Sequence, residues 1–255
     1  MRQPIKIALV QLSSTEKLEE NYKQIRNYLY ESIATGARLI LTPEVSNFIS
    51  NNEELRWSVL SVESEDPILR LVKKVAFENN VWILMGSLAI KINETIRNLY
   101  INRSFLIGPN GKVVARYDKI HMFDINLSDK ISFKESKYFR PGSKAILVKT
   151  HFAKLGMTIC YDLRFPNIFN RLANAGAKLI FVPSAFTVPT GKGHWEPLLR
   201  ARAIENNVYI LAPAQCGQNG KNRFTWGHSL VVDPDGKVVN DSGKEPGVAV
   251  VELEI

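Results

Sequence analysis

Cysteine is scarce: Cys160 and Cys216 are the only two among 255 residues. That excludes a disulfide framework and makes a reducing compartment, the cytoplasm, the expected location. The sequence also lacks any apolar run near the ~18–20 residues of a membrane span, and the stretch Ile7 to Val10 is too short for a signal peptide. No membrane association is expected. Clustered positive charge is missing as well. Although 33 basic residues face 25 acidic ones for a net charge of +8, Lys73-Lys74 is the only adjacent basic pair, which is not the stripe that nucleic acid requires. Histidine is limited to four residues, and no His or Cys pair has zinc-site spacing, so neither a metal nor another cofactor is expected. What is present is globular, with 45% hydrophobic and 23% charged residues.

The chain echoes itself. Gly36-Ala37-Arg38-Leu39-Ile40-Leu41-Thr42-Pro43 returns as Gly176-Ala177-Lys178-Leu179-Ile180-Phe181-Val182-Pro183, and Asn79 to Leu84 returns as Asn206 to Leu211. Pro109-Asn110-Gly111-Lys112 then returns as Pro234-Asp235-Gly236-Lys237, in the same order and about half a chain later. One supersecondary plan is used twice, unlike a solenoid with its ~20–50-residue period. Each half opens on an apolar strand, Ile5 to Gln11 or Leu155 to Cys160. A helix ending at Gly36 or Gly176 follows, then a buried strand at Leu39 to Leu41 or Leu179 to Val182. Further helices are predicted, one with Asp66 as N-cap and Pro67 at its first position, the other over about Trp195 to Asn206. Trp195, Leu198, Leu199 and Ile204 are read as its packed face, a core or dimer contact. Hairpins turning at Asn110-Gly111 and Asp235-Gly236 close the halves. These elements predict an α/β protein with two internally similar halves, two sheets face to face and helices outside, forming one domain over residues 1–255.

Three positions offer chemistry. Cys160 ends an apolar strand just before a helix, the turn where nucleophiles are often presented, although a buried cysteine is more commonly a small hydrophobe. Glu44 stands at the end of a wholly apolar strand, where desolvation is expected to raise its pKa toward the range useful for proton transfer. Lys119 leaves the first hairpin and alone would read as solvated surface. Together they supply what acyl transfer needs: a sulfur nucleophile, a base for its proton and a cation for the developing oxyanion.

Three segments carry these residues: Leu41-Thr42-Pro43-Glu44, Tyr117-Asp118-Lys119-Ile120-His121, and Cys160-Tyr161-Asp162-Leu163-Arg164-Phe165-Pro166. In this order they resemble the Glu, Lys and Cys signatures of the nitrilase, or carbon–nitrogen hydrolase, superfamily over essentially the whole chain. Gly193-His194-Trp195-Glu196 and Gly227-His228-Ser229 look most similar to its Nit amidases, which include deaminated glutathione amidase and ω-amidase. The resemblance implies a four-layer-forming α-β-β-α sandwich, paired through outer helices into a homodimer or higher homo-oligomer. It implies a small-molecule amide substrate, hydrolysed to carboxylate and ammonia through a Cys160 thioester. Glu44 and Lys119 complete the catalytic set in this reading, Glu135 supports Lys119, and the backbone N–H of Tyr161 joins the oxyanion site. Arg164 is a candidate for a substrate carboxylate, with a salt bridge to Asp162 or another local acid as the alternative. Asn167 departs from the glutamate that many members carry after the Phe-Pro pair.

Nitrile and carbamoyl hydrolysis use the same three residues and stay open, as does hydrolysis of dicarboxylate monoamides. His121, His194 and His228 make equal sense as packing, which weakens a Cys–His hydrolase, and Cys216 reads as structural. A silent interaction module of the same fold and a basic nucleic-acid binder are the rivals from other classes. The intact Glu-Lys-Cys set opposes the first, and scattered charge opposes the second.

Overall fold

Side chains along the first strand alternate between two apolar clusters. In the computed structural model, which describes residues 4–128, 131–220 and 223–255, Ile5–Gln11 forms β1; its Ile7 and Leu9 join one apolar cluster while Ala8 and Val10 join another. A strand buried on both faces belongs between layers of an α/β fold. The first half continues through α1 (Leu18–Ala34), β2 (Leu39–Leu41), α2 (Glu53–Val59), α3 (Pro67–Asn79), β3 (Trp82–Lys91), β4 (Tyr100–Ile107) and β5 (Val113–Asp118). A small hairpin, β6 (Asp124–Ser128) with β7 (Ile131–Lys134), precedes the second half. There follow β8 (Ile146–Lys149), β9 (Lys154–Met157), α4 (Pro166–Asn174), β10 (Leu179–Phe181), α5 (Val188–Asn206), β11 (Tyr209–Ala212), β12 (Cys216–Gln218), β13 (Phe224–Trp226), β14 (Leu230–Val232), β15 (Val238–Asp241) and β16 (Gly247–Leu253).

The internal echo becomes a topological one. One six-stranded sheet runs β16-β1-β2-β3-β4-β5, and the other runs β8-β9-β10-β11-β14-β15. In each, three parallel strands are flanked by an antiparallel strand on one side and an antiparallel hairpin on the other. Ile7, Leu9, Leu41 and Leu84 of the first sheet share a cluster with Leu155, Met157 and Phe181 of the second. Val10, Ile40 and Ile83 pack instead with Ile25 and Leu29 of α1 and Val72 and Val75 of α3. The result is an α-β-β-α sandwich. Each such aliphatic side chain contributes ~1.5–3 kcal/mol by leaving water.

Local signals explain the boundaries. The Asp66 carboxylate accepts the Leu69 N–H at 2.8 Å, with Pro67 at the first helical position, and α3 stops where Asn80 turns left-handed. Gly111 has φ +70°, and a Cβ there would come within 2.8 Å of the Lys73 carbonyl oxygen, so the β4–β5 turn needs glycine.

One expectation changes. The predicted second long helix begins at Val188 rather than near Trp195, because Gly191 leaves room for the Trp226 ring, whose Cγ would lie 2.3 Å from an added Cβ. On this helix Trp195 and Leu199 are buried, but Ile204 is 54% exposed, since five residues past Leu199 it has rotated off the packed face. Among the described residues no helix is long and apolar enough to cross a membrane.

Candidate active site

Strand ends from both halves meet at one point. Glu44 follows β2 through Thr42-Pro43, and the next residue, Val45, has φ +48°, a strained value for a β-branched side chain. The turn is pinned: Val45 N–H donates to Ser87 Oγ at 2.8 Å, and Gln215 Nε2 donates to the Glu44 carbonyl at 3.0 Å. Cys160 follows β9 and is itself left-handed at φ +49°, with its N–H donated to the Pro183 carbonyl at 3.0 Å. Pro183 is the echo of Pro43. Two residues beyond it, Ala185 N–H donates to Glu44 Oε2 at 2.9 Å, so the second strand end holds both the cysteine turn and the glutamate.

Lys119 leaves β5 and is fixed at its backbone by Asn102, whose carbonyl accepts the Lys119 N–H at 3.0 Å. Its ammonium donates to Glu44 Oε1 at 2.9 Å and to Glu135 Oε2 at 2.8 Å. Glu135 also accepts the Phe123 N–H at 2.7 Å. Asn102 Nδ2 spans the two carboxylates, at 2.9 Å from Glu44 and 3.2 Å from Glu135. Glu44, Lys119, Glu135, Cys160 and Tyr161 line one cavity of about 450 Å³. That size accommodates a small organic ligand.

Electrostatics decides the protonation states. Burial raises the Cys160 pKa, Glu44 raises it further, and Lys119 and the Ala185 N–H only partly oppose them, so the sulfur rests as a neutral thiol. For Lys119, burial favours the neutral amine, but the charges of Glu135 and Glu44 win and hold it well above its ordinary value. Glu44 corrects an expectation. Burial does act to raise its pKa, yet the attraction and hydrogen bond of Lys119, helped by a hydrogen bond from Cys160 and by Arg223, bring it below the ordinary carboxylate value. The resting set is therefore thiol, carboxylate and ammonium. A base beside a neutral thiol can generate sulfur nucleophilicity at the moment of attack.

The turn after Cys160 rests on Asp162. This fully buried carboxylate accepts the Ile159 N–H at 2.9 Å, the Tyr117 hydroxyl at 2.6 Å and the His121 N–H at 3.1 Å, with His121 Nδ1 at 2.7 Å. It thereby ties the cysteine turn to the segment bearing Lys119.

Arg164 lies outside the cavity lining; its Nη2 is 3.0 Å from His194 Nδ1, and its guanidinium sits over the Tyr161 and Phe186 rings. Asp162 is not its partner. His121 stacks on Phe165 and His228 pairs with Asp241, and among the described residues no histidine lines the cavity. Cys216 is buried elsewhere, its thiol pushed up to about 12 by burial and Glu245. Sequence reasoning missed Asn102, Ala185, Arg56 and Arg223, all of which line the cavity.

A thiol, a carboxylate and an ammonium converge where strand ends of the two half-sandwiches meet. The chain belongs to the carbon–nitrogen hydrolase family, whose profile matches residues 6–255, and it is a hydrolase acting on amides. It is 39% identical over 249 residues to a deaminated glutathione amidase of Yersinia enterocolitica, covering 97% of this chain and 86% of that protein. The crystal structure of the Caenorhabditis elegans NitFhit protein superposes with a TM-score of 0.93 at 33% identity; the alignment covers 99% of this chain and 61% of that longer one. Saccharomyces cerevisiae Nit3, a member of branch 10 of the nitrilase superfamily, superposes with a TM-score of 0.86 at 28% identity, covering 99% of this chain and 90% of that one.

Proposed function

We propose that the enzyme hydrolyses a small anionic amide of the deaminated glutathione type through a thioester on Cys160. As the sulfur attacks the carbonyl carbon, Glu44 takes the thiol proton and the carbonyl electron pair moves onto oxygen. The Lys119 ammonium and the Tyr161 N–H hold that oxyanion, each such donor being worth roughly 3–4 kcal/mol. Collapse expels the amine, which leaves with the proton from Glu44. Water then gives a proton to Glu44 as its oxygen attacks the thioester, and the second collapse releases the carboxylic acid and restores the thiol. Glu135 keeps Lys119 charged and aimed throughout.

The observation that carries this reading is the shared position of Lys119 Nζ, 2.9 Å from Glu44 and inside the cavity that Cys160 lines. The Yersinia enterocolitica relative supports the substrate type by its name. The leaving group is ammonia from a simple amide and cysteinylglycine from deaminated glutathione. The test is a screen of amine or ammonia release from deaminated glutathione, from glutaramate and from an aliphatic nitrile of similar length. Turnover of the amides above the nitrile is expected. A chain that hydrolyses the nitrile and neither amide would overturn the proposal.

A further inference from the structure

A side-chain amide crosses the sandwich to hold the turn that carries Glu44. Gln215 lies between β11 and β12, in the second half, and is fully buried. Its own backbone is fixed there, with its N–H donated to the Ser184 carbonyl at 2.8 Å and its carbonyl accepting the Gly227 N–H at 3.0 Å. Its side chain reaches the first half. Oε1 accepts the Ser14 N–H at 3.0 Å, while Nε2 donates to Ser14 Oγ at 2.8 Å and to the Glu44 carbonyl at 3.0 Å. A backbone N–H can only donate and a carbonyl can only accept, so these partners fix which end of the amide is oxygen.

The Glu44 carbonyl and the Val45 N–H belong to one peptide unit. Ser87 Oγ holds its N–H at 2.8 Å and Gln215 holds its oxygen, so the plane is clamped on both sides. The clamp matters because Val45 is left-handed, a conformation that a β-branched side chain keeps only when its surroundings over-determine it. Relaxing Val45 to a negative φ would turn that plane over and carry the ψ of Glu44 with it, swinging the carboxylate away from Lys119. Other hydrogen bonds of this turn are made within the first half: the Pro43 carbonyl accepts the Ser87 N–H and the Ser46 hydroxyl, and the Ser46 carbonyl accepts the Ser14 hydroxyl. Gln215 ties the main chain of the turn to the half that carries Cys160, as the Ala185 N–H ties its carboxylate.

We propose that Gln215 is a positioning residue for the reaction: by locking the Glu44–Val45 peptide from across the sandwich, it keeps the Glu44 carboxylate on the Lys119 ammonium and within reach of the Cys160 thiol. The proposal rests on Glu44 being the base, as in the mechanism above. Gln215 does not line the cavity, so it acts through Glu44 and not through contact with substrate. Losing the lock leaves the carboxylate buried without its cation, and burial alone raises a carboxyl pKa. The signature is a slower chemical step together with a base that titrates at higher pH.

Gln215→Met removes the amide while filling much of its space. With glutaramate as substrate, kcat is expected to fall about 10- to 100-fold with KM within about threefold, and the acid limb of kcat/KM to move up by about one pH unit or more. The variant also leaves the Ser14 N–H unpaired and should melt lower. Leu29→Ala, which opens a cavity in the outer layer, is the control: it should lower the melting point and move neither kcat nor the acid limb. Ser87→Ala frees the other side of the same peptide and should share the signature of Gln215→Met, and the double variant should lose less than the product of the single losses. Gln215→Glu is the reverse probe, and it keeps the test alive if Gln215→Met fails to fold. Its neutral acid can donate to the Glu44 carbonyl and its carboxylate cannot, so kcat should be nearest that of the unmodified enzyme at about pH 5.5 and fall toward about pH 9, the range in which a buried glutamate ionises. Glu44→Gln should be inactive, and full activity there would overturn the base assignment itself. An inactive Glu44→Gln beside a Gln215→Met that keeps its kcat, or loses it with the acid limb unmoved, would overturn the role of Gln215 alone. So would a Gln215→Glu profile as level as that of the unmodified enzyme.

Discussion

Asn102 Nδ2 lies 2.9 Å from the Oε1 of Glu44, the same oxygen that accepts from the Lys119 ammonium. The amide also reaches Glu135, and the backbone carbonyl of Asn102 fixes Lys119 from behind. One residue of β4 thus spaces both carboxylates around one cation. Replacing it with alanine removes a hydrogen bond to each carboxylate, at about 1.5–3 kcal/mol for a bond to a charged group. Asn102→Ala is expected to lower kcat about 10- to 100-fold in a steady-state amide assay. Asn102→Asp, which adds a third negative charge, should fall further. An unchanged kcat in the alanine variant would remove Asn102 from the site.

The protonation states set the pH profile. In the proposed mechanism Glu44 must be ionised to accept the thiol proton, and it titrates below its ordinary 4.5; Lys119 stays charged beyond its ordinary 10.5. The Cys160 thiol stays neutral past its ordinary 9.0. No required group changes charge near neutrality, so kcat/KM for glutaramate should be level from roughly pH 6 to roughly pH 9, falling only on the acid side as Glu44 protonates. A Cys–His hydrolase would show a limb near the imidazole value of about 6.5. Measuring kcat/KM across this range decides between them, and a limb near that value would return His121 to consideration.

Cys160→Ala keeps the Cβ and the left-handed turn while removing the sulfur. Turnover should fall by about four orders of magnitude or more, as when a nucleophile is deleted from a catalytic unit. The melting temperature should stay near that of the unmodified protein. Hydroxylamine added during turnover of the unmodified enzyme should divert product to the hydroxamate, reporting the thioester. Full amidase activity in the alanine variant would dismiss the sulfur as nucleophile.

Much of this site was legible because its parts are local. The apolar run ahead of Glu44, the strand-to-helix turn at Cys160, and the Asn-Gly and Asp-Gly hairpins each announce themselves within a few residues, and the doubled plan brings them together. What escaped depends on neighbours far along the chain. Asn102 is a lone polar residue at an inward position of β4 between buried Tyr100 and Ser104, a signal visible only once the register is known. Arg56 sits in a seven-residue helix with no apolar stripe to reveal it. The sign of the Glu44 shift depended on Lys119, 75 positions away, outweighing the desolvation that the local strand suggests.

Asp162 connects two of these local pieces. Its carboxylate accepts from both the cysteine turn and the His121 segment, so Asp162→Ala leaves buried donors on each side unpaired. Losing such a network costs about 3 kcal/mol or more, roughly 6–12 °C in a chain of this size. Thermal unfolding should show that drop, and kcat should fall with it because Lys119 and Cys160 lose their common brace. A variant that melts normally would sever the proposed link.

Asp66 separates capping from charge. It caps α3 through Leu69 while almost wholly buried, and burial raises its pKa above the ordinary 3.8 despite the hydrogen bonds from Leu69 and Asn47. A carboxyl whose folded pKa is raised contributes most stability below its unfolded pKa and loses that contribution as pH climbs through the folded one. At neutral pH the ionised form is therefore a burden that the cap only partly offsets. Asp66→Asn keeps an oxygen for the Leu69 N–H without the charge, and should unfold at or above the temperature of the unmodified protein at pH 7. Asp66→Ala loses the cap and should be less stable than Asp66→Asn by about 0.5–2 kcal/mol. On acidification toward pH 4 the unmodified protein should gain on Asp66→Asn. Denaturant titrations of the three proteins at both pH values test this, and an asparagine variant clearly weaker at pH 7 would mean that the charge itself, acting on the helix N-terminus, outweighs its burial.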